Sequence, residues 1–408
     1  MEYTNKKYST IKTTLIFLFV LLQIVCFYPY EFVSVYYLPF PQVGGVMHLI
    51  CATITCIAIL MLNNRKTLPS VVYRLMLIQL FGFWICCLAH DNINMAIGQT
   101  LVFILATFLI IYIESTIGLV AFFRFYNKWI FLMAALGVLT WVLINYFSYS
   151  PIYSALDLEN TNRLIDNYVF SFASNNNELS KFTYSGFFDE NGAMGLWGMF
   201  ALVINKLFIK EKWIEIPLIC CLLFTMSLGF IVQVTVYLIL FYVNRQNLYK
   251  CILIAGAAFF LFSIVTGLQN TEYDFMYTKT IGRISEIIEN SNSSSNLIAS
   301  DNRKELATAA LKEFRENPIL GTSNTSIYVG DNIYEPLALY GILGSLLIYA
   351  PFLWMIYKCR SDRNFLKGLV IIMISLFHRP FHAHLLWVFI LYSIIILYIQ
   401  RHKQLYEN

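Results

Sequence analysis

Ile93-Asn94-Met95-Ala96-Ile97-Gly98-Gln99-Thr100-Leu101-Val102-Phe103-Ile104-Leu105-Ala106-Thr107-Phe108-Leu109-Ile110-Ile111-Tyr112-Ile113 is a run of 21 residues without a single charge. An α-helix needs about 20 apolar residues to cross a bilayer, so the stretch reads as one membrane span. Working outward from it, similar runs lie at 71–89 and 46–62 on the N-terminal side and at 129–148 and 187–205 on the other. The rest fall at 13–29, 214–228, 229–243, 251–267, 336–357, 367–377 and 384–399. Twelve runs predict about twelve helices, or as few as ten, because 214–243 is one apolar stretch broken around Ser227-Leu228-Gly229 and 367–377 is short. The expected fold class is an all-α polytopic integral membrane protein with a long extracytoplasmic loop that contains an amphipathic helix.

Composition excludes the main rivals. Of 408 residues, 58% are hydrophobic and only 13% are charged, whereas a soluble domain carries about 25% charged residues. A water-soluble enzyme, a disordered chain and a nucleic-acid binder all fit poorly. The nine cysteines lie in apolar runs or at their edges, which argues against a disulfide framework or a cysteine zinc site. Lys6, Lys7 and Lys12 precede the first run, but no small-residue cleavage site follows Tyr28-Pro29-Tyr30. That run is expected to be a retained helix rather than a leader.

Positive charge sets the orientation. With a cytoplasmic N-terminus, 19 of the 28 Lys and Arg residues fall on the inside, as the positive-inside rule requires. Eight of the other nine lie in two long polar segments, which translocate regardless of charge, and Arg379 is the exception. Both termini are therefore expected in the cytoplasm. The chain divides into N-terminal helices (1–148), a first outside loop (149–186), further helices (187–267), a large outside loop (268–335) and C-terminal helices with a tail (336–408).

The first outside loop is rich in Asn, Ser, Asp and Tyr with little apolar periodicity, and reads as an ordered loop rather than a domain. The second holds a low-complexity linker, Asn290-Ser291-Asn292-Ser293-Ser294-Ser295-Asn296, and then a helical pattern. Asn302 and Glu305 resemble a capping box. Leu306, Ala309, Ala310 and Phe314 follow at helical spacing, and Asn317-Pro318 stops the helix. Arg303, Lys304, Lys312 and Arg315 lie on or near its polar side, where two uses stay open. They form a solvated face paired with Glu305, Glu313 and Glu316, or one or two of them bind an anionic head group at the interface.

Beyond this helix come Asn317-Pro318-Ile319-Leu320-Gly321, then Asp331-Asn332-Ile333-Tyr334, then Gly341-Ile342-Leu343-Gly344 at the entry of the next span. A basic helix, an N-P-x-x-G turn, a D-N-x-Y segment and a G-I-x-G helix start, in this order, resemble the O-antigen polymerase and ligase superfamily. Gly186-Phe187-Phe188-Asp189-Glu190-Asn191 is similar to that superfamily's G-x-F-x-x-P-N segment, and Ser227-Leu228-Gly229 to its Ser-Arg-Gly helix break without the Arg. The ligases usually place a His where this chain has Asp331, which favours a polymerase. The Arg common three residues before the Gly of the first block is Thr183 here, and Lys181 or Arg163 is expected to take over its charge.

The resemblance implies a membrane glycosyltransferase in the bacterial plasma (inner) membrane. Its donor is a sugar chain on a polyprenyl diphosphate, such as undecaprenyl diphosphate, and its acceptor is another lipid-linked unit at the outer face. The product would be an O-antigen or other surface polysaccharide, as in lipopolysaccharide biosynthesis. A diphosphate leaving group gains charge as the glycosidic bond breaks, so cations beside it stabilise the transition state, and Arg donates bidentately to phosphate. Arg283, Arg303 and Lys304 are the candidates. A carboxylate within reach of the acceptor hydroxyl takes its proton, and Asp331 and Glu335 are candidates, four residues apart and on one face if the helix extends that far. Asp331 is otherwise a helix cap and Glu335 an interface carboxylate. The expected catalytic set is Asp331, Glu335 and Arg303, and the expected substrate-binding set is Arg283, Lys304, Lys181, Arg163, Asn191, Asn332 and Arg379. Asp189, Glu190 and Asn191 serve equally as helix-start caps or sugar hydrogen-bonders.

No D-x-D or G-x-G-x-x-G motif is present, and a donor already activated in the membrane needs no nucleotide, cofactor or metal. His378, His382 and His384 flank Arg379-Pro380; their spacing allows a metal, an interfacial hairpin, or a role with Arg379 in binding head groups or glycan. The expected partners are the two lipid-linked oligosaccharides and the bilayer, with a chain-length regulator and a flippase in the same pathway, and no nucleic acid. Two rivals are a ligase and a flippase of the same lipid-linked unit. The flippase is expected to show repeated halves and charges inside its helices, and nearly all charges here lie outside the runs.

Overall fold

A computed structural model of the chain describes residues 2–25, 44–147, 149–156, 164–174, 183–188, 191–243, 277, 303–322, 334–378 and 384–407. Its helices are α1 (Glu2–Val25), α2 (Gly44–Leu60), α3 (Ser70–Ala89), α4 (Ile93–Thr116), α5 (Leu119–Phe147), α6 (Asn191–Ile204), α7 (Lys212–Leu223), α8 (Leu228–Tyr242), α9 (Arg303–Glu316), α10 (Glu335–Ile348), α11 (Ala350–Cys359), α12 (Arg363–His378) and α13 (Leu385–Glu407). By length and apolar composition, six stretches among the described residues are able to cross a membrane: α3, α4, α5, α6 with the turn after it, α10 with α11, and α13. Thr10–Ile24, His48–Leu60 and Leu228–Tyr242 are shorter apolar helices. The chain is a largely helical membrane protein; the run 251–267 and the linker 290–296 lie outside the described residues.

Several boundaries differ from expectation for visible reasons. Helix α5 begins at Leu119 rather than near 129, because Arg124 and Lys128 ride on its first turns as polar positions of the same helix. The expected span at 336–357 is two helices meeting at Tyr349, with a further break inside α10 at Gly341 (φ 60°, ψ −167°). The segment at 149–186, read as an ordered loop rather than a domain, carries a three-stranded antiparallel sheet of β1 (Tyr153–Leu156), β2 (Leu164–Asn167) and β3 (Phe172–Ser174), in the order β1-β2-β3. Strands this short escape a search for apolar alternation.

The described residues fall into two compact units. The first draws on 1–126, 302–366 and 376–408. Here α4 packs against α2, α3 and α13, and α3 packs against α10 and α11. Asn92 starts α4, its side chain accepting from Met95 N–H at 3.3 Å. Thr55 donates to Gln23 Oε1 at 2.6 Å, and Tyr392 OH donates to Gln79 Oε1 at 2.8 Å. In an apolar environment such pairs satisfy groups that would otherwise cost several kcal/mol each, on the order of the penalty for an unpaired polar group in hydrocarbon. The seam between α3 and α10 is built from small residues, as close helix packing in lipid demands. A Cβ on Gly82 would meet Leu347 Cβ at 2.7 Å, and one on Gly344 would meet Cys86 Sγ at 2.3 Å. Around it Phe83 sets its ring edge-on to Tyr340 at 5.5 Å, and Phe352 stacks on Trp387 at 5.8 Å.

The second unit draws on 127–301 and 367–375. Its centre is α6, almost wholly buried and packed on α7 and α8. It ends in a π-turn, Asn205–Ile209, closed by Lys210 in the left-handed region (φ 63°). Asn205 holds this turn to the start of α7, donating to Glu211 O at 2.9 Å and accepting from Glu211 N at 3.1 Å.

The α3–α10 seam gives the first prediction. Gly344→Ala should lower stability by about 1–3 kcal/mol, the usual cost of forcing an extra methyl into a packed site. Cys86→Ala in the same chain should restore part of it, because the atom that clashes is gone. Thermal unfolding of the two variants in detergent measures both effects.

Candidate active site

In the first unit the basic helix and the G-I-x-G helix lock together through the turn between them. Helix α9 ends at Glu316, and Asn317–Thr322 then folds across the break in α10. Pro318 O accepts from Ile342 N at 2.9 Å, Ile319 O from Leu343 N at 3.0 Å, and Thr322 N donates to Ala338 O at 2.8 Å. In an unbroken helix Ile342 N would bond Ala338 O; here the turn supplies a replacement for each. Only glycine fits at the contact. Gly321 (φ 69°) and Gly341 (φ 60°) are both left-handed, and a Cβ on Gly341 would lie 2.4 Å from Ile319 C, one on Gly321 2.3 Å from Leu339 C. Ser345 ties the two parts of the broken helix, donating to Pro336 O at 3.0 Å.

This interlock fixes direction. Buried Ala310 of α9 packs with Ala338 of α10, with Tyr334 and Leu339 around them, and eight residues further along the chain, past the end of α9, Pro318 meets Ile342. The two helices therefore advance the same way, and their first residues, Arg303 and Glu335, open them at the same end. Glu335 is half-buried and starts α10 with Pro336 at the next position. Helix α10 starts at Glu335. Arg303 and Lys304 are placed by the backbone of α9, while Arg163, Lys181, Arg283, Asp331, Asn332 and Arg379 lie outside the described residues.

In the second unit the other two sequence blocks converge. Lys206, Glu215 and Tyr242 meet at one end of α6–α8, and Asn191 and Thr225 meet at the other, so α7 and α8 are the legs of an antiparallel hairpin with its turn at 224–227. Helix α7 has 12 residues, which rise about 18 Å against a hydrocarbon core of about 30 Å. It is too short for the full crossing expected of 214–228. At the tip Met226 is left-handed (φ 52°) and Ser227 caps α8, accepting from Phe230 N at 3.3 Å. Asn191 donates to Thr225 O at 2.7 Å and accepts from Gly192 N at 3.0 Å. One donor and one acceptor of this expected sugar-binding amide are thus committed to the helix start and the hairpin.

The segment Thr183–Phe188 before α6 is folded inward. Ser185 N donates to Phe172 O at 2.9 Å and Phe172 N to Gly186 O at 2.8 Å, extending the sheet by one short rung. Tyr184 OH donates to Cys221 O at 2.7 Å, and its ring occupies the space that a Cβ on Gly137 would need. Thr183, which stands where the superfamily has an Arg, is buried. In the sheet, buried Asp166 accepts from the Ser154 hydroxyl. Burial, and then Asp166, push the Tyr168 phenol up to about 12, so it stays protonated and donates.

One polar cluster was not foreseen from the sequence. Buried Glu215 accepts from Tyr237 OH, Tyr242 OH and Lys206 Nζ, the last at 3.2 Å. Lys206 Nζ also lies 4.0 Å from the Tyr242 ring centroid, and Lys367 faces the Phe241 ring at 5.8 Å. The available signal was a lone acid, Glu215, set between Ile214 and Ile216, within reach of the Lys at the end of the preceding helix. Among the described residues no three His, Cys, Asp or Glu gather as a metal site.

These observations define a largely helical membrane protein with a glycine-locked helix break in the first unit and a hairpin tip held by side chains in the second. Comparison with protein-family models, with curated proteins and with solved structures finds no match to this chain.

Two predictions follow from the geometry. Gly341→Ala should cost about 3 kcal/mol, because it adds a steric clash to an unfavourable backbone region, and should loosen the 317–322 turn in hydrogen exchange. Lys206→Met strands Glu215 without its cation. Breaking a buried pair this way costs about 3–5 kcal/mol, and because Lys206 is 26% exposed a loss of about 2 kcal/mol is expected. Adding Glu215→Gln should recover much of that in the same unfolding assay.

Proposed function

We propose that this chain is an integral-membrane polysaccharide polymerase. It joins oligosaccharide units carried on polyprenyl diphosphate at the outer face of a bacterial plasma membrane. The observation that carries this reading is the interlock of Asn317–Thr322 with the Gly341 break, which brings the first residues of α9 and α10, Arg303 and Glu335, to one end of the helix pair. Two parallel helix N-termini concentrate partial positive charge there, which favours a diphosphate. Arg303 and Lys304, joined by Arg283, neutralise the charge that grows on the leaving diphosphate. Glu335 or Asp331 takes the proton of the acceptor hydroxyl as that oxygen attacks the anomeric carbon. Arg163, Lys181, Asn332 and Arg379 bind glycan or head group.

The same reading gives ten to twelve spans, both termini in the cytoplasm, and the segments at 149–186 and 268–335 outside. The Lys and Arg distribution supports it. Because the donor arrives activated, the reaction needs no metal, nucleotide or cofactor.

The experiment is the surface-glycan ladder of cells that lack the gene, complemented with variants. Loss of the protein should collapse the ladder to single repeat units. Arg303→Ala, Asp331→Asn and Glu335→Gln should each reduce long chains, the carboxylate changes by about 10²–10⁴-fold if they remove a general base. Polymerised chains accumulating on the lipid carrier would instead make the protein a ligase, and absence of any surface unit would make it a flippase.

A further inference from the structure

The sheet at 153–174 has one apolar end. Tyr153 pairs with Asn167, so the start of β1 and the turn between β2 and β3 share that end. It is the end tied to the membrane domain, because β1 begins six residues after α5 finishes at Phe147. Tyr149 and Tyr168, whose rings lie 6.0 Å apart, hold the connection against the sheet.

The turn itself presents hydrophobic side chains outward at a conformational cost. Val169 is left-handed (φ 72°), a region that β-branched residues avoid. Phe170 N donates to Tyr168 O at 2.9 Å, which closes a γ-turn of the rare strained kind. Asn167 Oδ1 accepts from Val169 N at 2.9 Å and Ser171 O from Tyr168 N at 3.0 Å, holding the turn in place. The result leaves Val169 44% and Phe170 40% exposed, next to Ile152 at 60%. A soluble hairpin places Asn and Gly at such a turn.

The surface is continuous with one that already faces lipid. Leu132, Leu139 and Tyr146 recur every seven residues along α5 and are all exposed, so they form one stripe up that helix. The stripe ends at Tyr146 and Phe147, 61% and 71% exposed, where the chain turns into β1. No charged residue lies in 147–153 or 168–172, whereas Asp157, Glu159 and Arg163 all fall in the connection between β1 and β2. An apolar end joined to a lipid-facing helix, with the charges placed elsewhere, has the polarity of an interfacial anchor.

We propose that this end of the sheet seats in the membrane interface, with Val169, Phe170 and Ile152 inserted at the boundary between head groups and acyl chains. It then works as a monotopic foot that fixes the height of the 149–186 segment above the bilayer. The inference rests on the chain being a membrane protein and stands apart from glycosyl transfer.

The test is photo-crosslinking in the full-length protein, reconstituted in nanodiscs of palmitoyl-oleoyl phosphatidylcholine. p-Benzoylphenylalanine is installed singly at position 170, at 152, at 139 on the α5 stripe, and at 64 in the polar loop after α2. Irradiation should add the mass of one phospholipid at 170 and 152, as at 139, in excess of position 64. Adducts at 139 without adducts at 170 or 152 would overturn the proposal, and so would crosslinks from 170 and 152 to a second copy of the chain. Either site suffices if the other perturbs folding, as read by elution as a single native-sized species.

Discussion

Inside a bilayer no water is present to take up a backbone group that a broken helix releases, so each break must bring its own partners. The break at Gly341 meets this constraint with neighbouring backbone alone. The bond that Ile342 N and Ala338 O would have made is replaced by two, one to Pro318 O and one from Thr322 N, and Leu343 N turns to Ile319 O. The motif residues follow from that exchange. Pro318 ends α9 and offers a carbonyl without a competing N–H. Gly321 and Gly341 let two backbones approach within a distance no side chain permits, and Gly344 then lets the second part of α10 close on Cys86. A segment far from α10 in sequence thus becomes part of its hydrogen-bond ladder.

The second unit solves the same problem with side chains. At the hairpin tip Thr225 is fully buried, its carbonyl satisfied by Asn191 and its hydroxyl donating to Leu222 O at 2.7 Å. At the other end of the legs Glu215 draws three donors from two further helices. Leaving a buried carboxylate with fewer partners is expensive, and that expense keeps α6, α7 and α8 in one register. Asn205 does the equivalent for the π-turn. These polar networks sit at the two ends of the α6–α8 bundle, while Gly195 and Gly198 let the helices meet closely between them, a Cβ on Gly198 falling 2.4 Å from Leu222.

What the sequence made legible was whatever leaves a one-dimensional signature. Long apolar runs located α3, α4 and α13, and the spacing of Leu306, Ala310 and Phe314 located α9, whose end at Glu316 falls where Asn317-Pro318 requires. Ser227 was readable as a helix break because glycine and a capping hydroxyl stand together there. The sheet was not legible, since its strands hold three or four residues each and take their partners from across a loop. The Lys206–Glu215–Tyr237–Tyr242 cluster was hidden for a different reason: its members sit on three helices, and only the antiparallel return of α8 brings the tyrosines back to the acid. Spacing puts Asp331 and Glu335 on one face only if the helix reaches back that far; α10 starts at Glu335, because where a helix starts is a property of its cap rather than of spacing.

The same interlock bears on how the proposed chemistry is held. Transfer from a diphosphate needs cations and a carboxylate near one another without mutual neutralisation, and each costs too much to bury in hydrocarbon alone. Placing Arg303 and Glu335 at helix starts fixes their backbones. Two helix N-termini, each carrying roughly half a positive charge, offset the charge of Glu335, so on the proposed reading Arg303 and Lys304 set the net sign of that end. A turn bound by three backbone hydrogen bonds and two left-handed glycines is stiff, so on the proposed reading the fold and not the substrate sets the spacing between the two helix starts. On the proposed reading that stiffness is what orients donor and acceptor, since positioning supplies a large part of the rate when the leaving group is already activated.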